Sequence, residues 1–226
     1  MRKNIYLILI ALISFMSACK KDSVIPPDPF YYDYFPTQVG SFITYNCDSI
    51  VYDDFNNTVD TFRFQIKELY QSEFTDNSGR RAIRIERYKK WSDTTSWFLK
   101  DVWYTVSDDK QAEKIEEDVR YIKLVFPVKA GKIWNSNALN IMDERETEYL
   151  NVHQSYSIGA LNFDSTLTTE NTDPENLVDE YRNTEIYAKG VGLIYKKLVD
   201  VEFVVPTPEI QSGFIFTMNA VEIGVE

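Results

Sequence analysis

The chain is poor in the residues that most often carry chemistry or covalent bracing. Its 226 residues hold one histidine and two cysteines, which excludes most zinc frameworks and any disulfide-dense scaffold. Basic residues are outnumbered, 24 Lys and Arg against 35 Asp and Glu, giving a formal charge of −11. Without a basic face a nucleic-acid partner is not expected. Glycine and proline, eight of each, are too few for a collagen repeat or long low-complexity tracts. Long apolar runs are missing too. The stretch from Ile5 to Ala18 would rise about 21 Å as a helix, short of the ~30 Å hydrocarbon core of a bilayer.

What is present points to strands. Aromatics make up 15% of the chain, with 15 Tyr and 14 Phe, and such residues favour β structure. Phe62, Phe64 and Ile66 alternate with Arg63, Gln65 and Lys67, and Ile83 and Ile85 with Arg84 and Glu86, the period-two signature of half-buried strands. Turn clusters such as Asn77-Ser78-Gly79, Asp108-Asp109 and Pro206-Thr207-Pro208 separate the runs at hairpin spacing. Only Lys110–Asp118 has helical spacing, and it reads equally as a strand continuing through Val119–Val125. The fold class expected is therefore mainly β: a curved antiparallel sheet, an open half-barrel or sandwich-like, with at most one or two short helices.

An internal echo divides that sheet. Phe35-Pro36-Thr37-Gln38-Val39-Gly40 returns 91 residues later as Phe126-Pro127-Val128-Lys129-Ala130-Gly131. Each copy reads as a corner leading into a strand, because proline is unsuited to a central strand and glycine suits a turn. Two β-meanders of about five strands each, joined edge to edge, are predicted, with a repeat boundary at 36–126 and 127–226. The stretch Thr95–Val106 is apolar on both faces and should need cover on both.

The first 18 residues have the basic start (Arg2, Lys3), short apolar run and small-residue end of an export signal. The run ends Met16-Ser17-Ala18-Cys19, which resembles a bacterial lipobox, with Met16 where that pattern usually has Leu. The resemblance implies removal of residues 1–18 and lipidation of Cys19, which leaves a mature charge of −13 and a stable lipid anchor. Residues 19–35 then form the lipidated N-terminus and a Pro-rich tether, and 36–226 a single β-rich domain. Tyr34-Phe35-Pro36, Gly40, Phe42, Tyr45 and the late Tyr187-Ala188-Lys189-Gly190-Val191-Gly192-Leu193-Ile194-Tyr195 are similar to features of uncharacterised cell-envelope lipoproteins of Bacteroidota. That resemblance implies an outer-membrane location, on the periplasmic face or the cell surface, and brings no catalytic residues with it.

Candidate sites are few. Gly190-Val191-Gly192 lacks the third glycine and the Lys-Ser/Thr of a phosphate loop, so a bulge or turn is the better reading. His153 has no nucleophile motif near it in sequence. The acidic groups Asp53-Asp54, Asp108-Asp109 and Glu116-Glu117-Asp118 read as turn residues and a solvated face. Of Trp91, Trp97, Trp103 and Trp134, most are expected in the core, with Trp97, Trp103 and Tyr104 the candidates for ligand contact. No catalytic residue, metal or cofactor is expected. The functional expectation is a non-enzymatic, lipid-anchored envelope protein that binds an apolar ligand or a partner protein, with glycan binding at the cell surface as the alternative.

Overall fold

The computed structural model describes residues 30–173 and 176–226. The expected signal segment 1–18, the expected lipidation site Cys19 and residues 20–29 of the expected tether lie outside the described residues. Strands follow one another almost without interruption: β1 (Ser41–Asp53), β2 (Thr58–Thr75), β3 (Arg81–Lys90), β4 (Phe98–Ser107), β5 (Gln111–Glu116), β6 (Val119–Val125), β7 (Ile133–Asn135), β8 (Glu146–Ile158), β9 (Leu161–Thr172), β10 (Asp179–Ala188), β11 (Gly192–Phe203) and β12 (Ile210–Val225). All belong to one antiparallel sheet in the order β6-β5-β4-β3-β2-β1-β12-β11-β10-β9-β8-β7.

That order is two meanders joined edge to edge through the β1–β12 ladder, with six strands in each where the sequence suggested about five. The sheet curls until its ends meet: the Ile122 amide donates to the Ser136 carbonyl at 2.9 Å, and the Trp134 indole N–H to the Ile122 carbonyl at 3.1 Å. No ladder joins β6 to β7 among the described residues, so the barrel is nearly closed, with one open seam.

The two echo segments occupy matching positions. Gly40 and Gly131 both take positive φ, 88° and 75°, the region glycine enters most readily. Their amides donate to Tyr70 of β2 and Tyr149 of β8, each at 2.8 Å. The residue after each glycine closes a turn to the third residue before it, Ser41 to Gln38 and Lys132 to Lys129. Register agrees as well: Phe42 faces Leu69, and Ile133 faces Glu148. By this correspondence the open β6/β7 seam is the counterpart of the closed β12/β1 seam. It fails to close because β7 is three residues long and the chain then leaves the sheet. The Asn135 side chain accepts from the Asn137 and Arg145 amides, and Asn137 donates to the Asp143 carbonyl, pinning residues 136–145 as a loop.

Of the two readings of Lys110–Asp118, the structure takes the strand. Lys110–Asp118 contains no helix: β5 and β6 form a hairpin around Glu117 and Asp118, both at positive φ. The cross-strand partners Ile115–Arg120 and Glu113–Ile122 use residues whose helical spacing was a coincidence of sequence. Ahead of residue 36, Tyr34 is fully buried and Phe35 nearly so; Tyr34 ends a short 3-10 turn, Tyr32–Tyr34, and Phe35 follows it. Finally, Thr95–Val106 is not covered on both sides. Thr95 and Trp97 lie in the loop before β4, a bulge opposite Arg87/Tyr88 shifts the parity, and Phe98, Leu99 and Val102 are exposed.

The interior is layered along the barrel axis. One end is closed by Tyr34 and Phe35 packed with Leu124, Phe126, Trp134, Tyr149 and Tyr187. The Tyr34 hydroxyl fixes this plug, lying 2.7 Å from both His153 Nδ1 and Ser165 Oγ. Beside it lies an aliphatic layer with Ile43, Tyr45, Cys47, Ile66, Ile194 and Met218. Charged residues interrupt this apolar lining: on one face of β2, Glu68 lies between Ile66 and Tyr70.

Candidate functional site

Period-two alternation carries the inward parity of several strands from apolar residues straight into charged ones. On β3, Arg87 follows Ile83 and Ile85; on β2, Glu68 follows Phe64 and Ile66; on β10, Glu185 precedes the plug residue Tyr187. An isolated charge in such a place would cost several kcal/mol, and here none is isolated. Glu68 accepts from Arg87 at 2.9 Å and Lys114 at 2.8 Å, and Arg87 also reaches Asp101 at 2.7 Å. Glu185 accepts from Lys123 at 2.9 Å, Lys196 at 3.2 Å and the Tyr187 hydroxyl at 2.5 Å, while Lys123 approaches Glu116 at 3.4 Å. Four acidic and four basic side chains thus neutralise one another inside the barrel.

This pairing fixes their protonation. Burial alone would raise the carboxyls of Glu116 and Glu185. The lysines around them outweigh it, holding Glu116 at about 2 and Glu185 lower than the usual carboxylate range. Burial would lower the Lys123 ammonium, but Glu116 and Glu185 hold it above the ordinary lysine value.

Above the Glu185 quartet, away from the plug, lies a cavity of about 230 Å³. It is lined by β6 (Tyr121, Lys123), by the loop after β7 (Asn137, Met142, Arg145) and by β8–β11, so it sits at the open seam. A smaller cavity of about 110 Å³ shares Glu116, Glu185, Lys196 and Leu198 with it and continues toward Glu68, Arg87 and Trp103. Asn171 and Asn183 stand directly opposite each other in the β9–β10 ladder, and both line the larger cavity. Asn171 is buried, and its amide nitrogen donates to the Thr147 hydroxyl at 3.3 Å. The Oδ1 atoms of both asparagines are buried and have no hydrogen-bond partner. At the mouth the Arg145 guanidinium lies 3.6 Å from the Tyr181 ring centre and reaches Asp173 only at 3.9 Å.

The residues singled out from sequence do not gather here. Trp103 does face inward, 3.5 Å beneath the Arg87 guanidinium and lining the smaller cavity. Tyr104, next in the strand, points the other way, meeting Phe74 and Arg120. Trp97 lies outside near Lys90. Of the four tryptophans Trp134 is buried in the core and half-buried Trp103 packs against Tyr70, Ile83 and Ile85, whereas Trp91 and Trp97 are exposed. Gly190 and Gly192, both at positive φ, serve the β10–β11 hairpin turn. His153 is a partner of the plug. Asp53 and Asp108 accept turn amides, whereas Glu116, read as part of a solvated face, turns inward to Lys123.

What sequence reasoning missed is the charged lining and the asparagine pair. Lys196 and Leu198 belong to the opposite parity from the apolar series Tyr195, Val199 and Val201, so an apolar-face reading passes over them. The lining also argues against the apolar ligand expected from sequence, because such a molecule would leave the two asparagine oxygens dry and unpaired. Among the described residues no three His, Cys, Asp or Glu side chains gather as metal ligands, and no helix is long and apolar enough to cross a membrane.

No protein-family model matches the chain, and no curated protein matches it either. Two solved structures are similar in chain course. One is a protein from Bacteroides fragilis assigned as exported, with a YmcC-like fold: 12% identity, TM-score 0.44, covering 86% of this chain and 99% of the other. The second is assigned as a lipoprotein of Parabacteroides distasonis: 10% identity, TM-score 0.47, covering 87% of this chain and all of the other.

Proposed function

We propose that this protein is a lipid-anchored component of the cell envelope, held through Cys19, whose barrel binds a small polar molecule at the open seam and performs no reaction on it. The observation that carries the binding reading is the seam cavity. Its walls come from both ends of the sheet, and two buried acceptor atoms inside it lack partners. Barrel mouths and clefts with a few convergent polar groups are the usual setting of small-molecule sites.

The charges support binding without catalysis. General acid–base work needs a group able to exchange protons near neutral pH. Glu116 and Glu185 are held deprotonated and Lys123 protonated well outside that range. The direction of the mouth supports anchoring. Phe30, the first described residue, lies at the plugged end, where its carbonyl accepts from the Val128 amide. Eleven residue steps separate it from Cys19, a reach of at most about 40 Å. A barrel held by that end turns its mouth away from the membrane.

The test is native mass spectrometry of the protein purified from its own envelope. An acyl mass on Cys19 and a small molecule released on denaturation are expected. A Cys19 without lipid overturns the anchor, and a barrel that releases nothing overturns the binding role.

A further inference from the structure

We propose that the seam cavity is a site for one neutral, hydroxyl-rich ring, a monosaccharide or cyclic polyol, whose hydroxyls donate to Oδ1 of Asn171 and Oδ1 of Asn183. The inference rests on the binding reading above and names its ligand class.

The chemistry of the lining leaves room for one class of ligand. Buried polar atoms in folded proteins are nearly always paired, and an unpaired one calls for an explanation. Here two unpaired acceptors stand side by side on neighbouring strands, in the wall of one cavity. A partner for them must be a donor, so a molecule carrying only acceptors leaves them as they are. A cation would supply donors, but with Glu116 and Glu185 offset by Lys123 and Lys196, the cavity keeps the Arg145 guanidinium in excess. A dicarboxylate brings acceptors only and leaves both asparagine oxygens unpaired. A neutral molecule with several hydroxyls meets each condition. It donates to the asparagines, and its own oxygens can accept from the lysines at the floor. Room is sufficient, since about 230 Å³ corresponds to roughly seven water molecules at liquid density.

The two asparagines should also leave a mark on stability. An orphaned buried oxygen is destabilising, so removing it while filling its space helps the empty protein and harms the occupied one. Asn183→Leu is therefore expected to melt no lower than the parent without ligand, yet to bind at least about tenfold more weakly, the loss of a buried hydrogen bond and its partner. Asn183→Asp, which keeps an acceptor oxygen at that position, should retain binding better than Asn183→Leu.

The experiment uses the full mature lipidated protein in detergent. Its affinity is measured by titration calorimetry for a panel of hexoses and myo-inositol, for short diamines and for short dicarboxylates. Each is repeated with Asn183→Leu, Asn183→Asp and, as a surface-aromatic control, Trp91→Ala. Saturable binding of a sugar or polyol, weakened by Asn183→Leu and untouched by Trp91→Ala, supports the proposal. Sugar binding lost only in Trp91→Ala moves the site to the exposed aromatics and overturns it. A diamine or dicarboxylate binding through Asn183 overturns the ligand class and leaves the binding reading standing. If nothing in the panel binds, but denaturation of the native protein releases a compound that is not hydroxyl-rich, the class is again overturned. If nothing binds and nothing is released, ordered water serves the asparagines and both readings fall.

Discussion

Glu185 shows how a single side chain can be essential to a barrel without doing chemistry. It is almost wholly buried and stands between two lysines that have few other partners. Removing one member of a buried ion pair leaves the rest uncompensated, at about 3–5 kcal/mol, so Glu185→Gln should lower unfolding stability by about 3 kcal/mol in a urea titration. The same pairing sets an acid limit. Glu116 and Glu185 have folded-state values depressed below the ordinary carboxylate range. The stability they contribute is therefore complete above about pH 4.5, the value expected of an unfolded glutamate. It is lost as pH falls through the folded value, near 2 for Glu116. Urea midpoints measured from pH 7 to pH 2.5 should stay level to about pH 5 and then fall; a midpoint that rises on acidification contradicts the pairing. Cys47 gives the opposite case, a group whose burial makes it inert. Its thiol is pushed up to about 12 by burial in the aliphatic layer, so a thiol reagent at pH 8 should react with it only as fast as the barrel unfolds. Cys47 lies in β1 beside the alternating strand Phe62–Ile66, so its burial in a strand is legible from its neighbours. Glu185 and Glu116 were not legible in the same way, because alternation assigns charged residues to solvent, and only the fold shows that their parity is the inner one.

At the scale of the element, turns and bulges decide what the periodicity cannot. Glu117 and Asp118 reverse the chain between β5 and β6 at positive φ, without the Asn-Gly pair that usually announces such a hairpin. That is why Lys110–Asp118 carries a helical spacing on paper and a strand in the fold. Gly213 in β12 is a sharper example. A Cβ built there would sit 2.2 Å from the Asp200 carbonyl oxygen and 2.7 Å from the Val201 Cα, and its φ is 109°. Neither clash can be relieved by a side-chain rotation, since both atoms are backbone on β11. Gly213→Ala should cost about 3 kcal/mol by forcing the β11–β12 ladder apart where Gly213 faces Val201. Gly79→Ala, with open space around the new methyl at a similar φ of 77°, should cost only the backbone strain, about 1 kcal/mol. Equal thermal shifts in the two variants would show that conformational strain, not strand contact, holds Gly213 in place.

At the scale of the molecule, the repeat explains both the closure of the barrel and its failure to close completely. The Phe-Pro-x-x-x-Gly echo was visible in the chain, and with it the division into two meanders. What could not be read was that the sheet curls until the two outer strands meet, because curvature comes from bulges and glycines whose registers appear only in the paired strands. Ladder formation on both sides protects amides from exchange, while a strand with one free edge opens with a smaller local cost. β1 and β12 lie at the centre of the sheet; β1 pairs on both sides over nearly its whole length, and β12 does so over Gly213–Asn219. β7 pairs over three residues only, and with β8 alone. Hydrogen exchange should therefore rank Tyr45 and Met218 among the slowest amides, and those of β7 and the 136–145 loop among the fastest within the sheet. The loop supplies Asn137, Met142 and Arg145 to the cavity wall, so its openings are also openings of the binding site. A ligand that bridges Asn183 on one side and this loop on the other should slow exchange across 133–145 while leaving β1 and β12 unchanged. Protection that instead rises evenly over all twelve strands would mean that the ligand stabilises the barrel globally, and that the seam is no gate to the cavity.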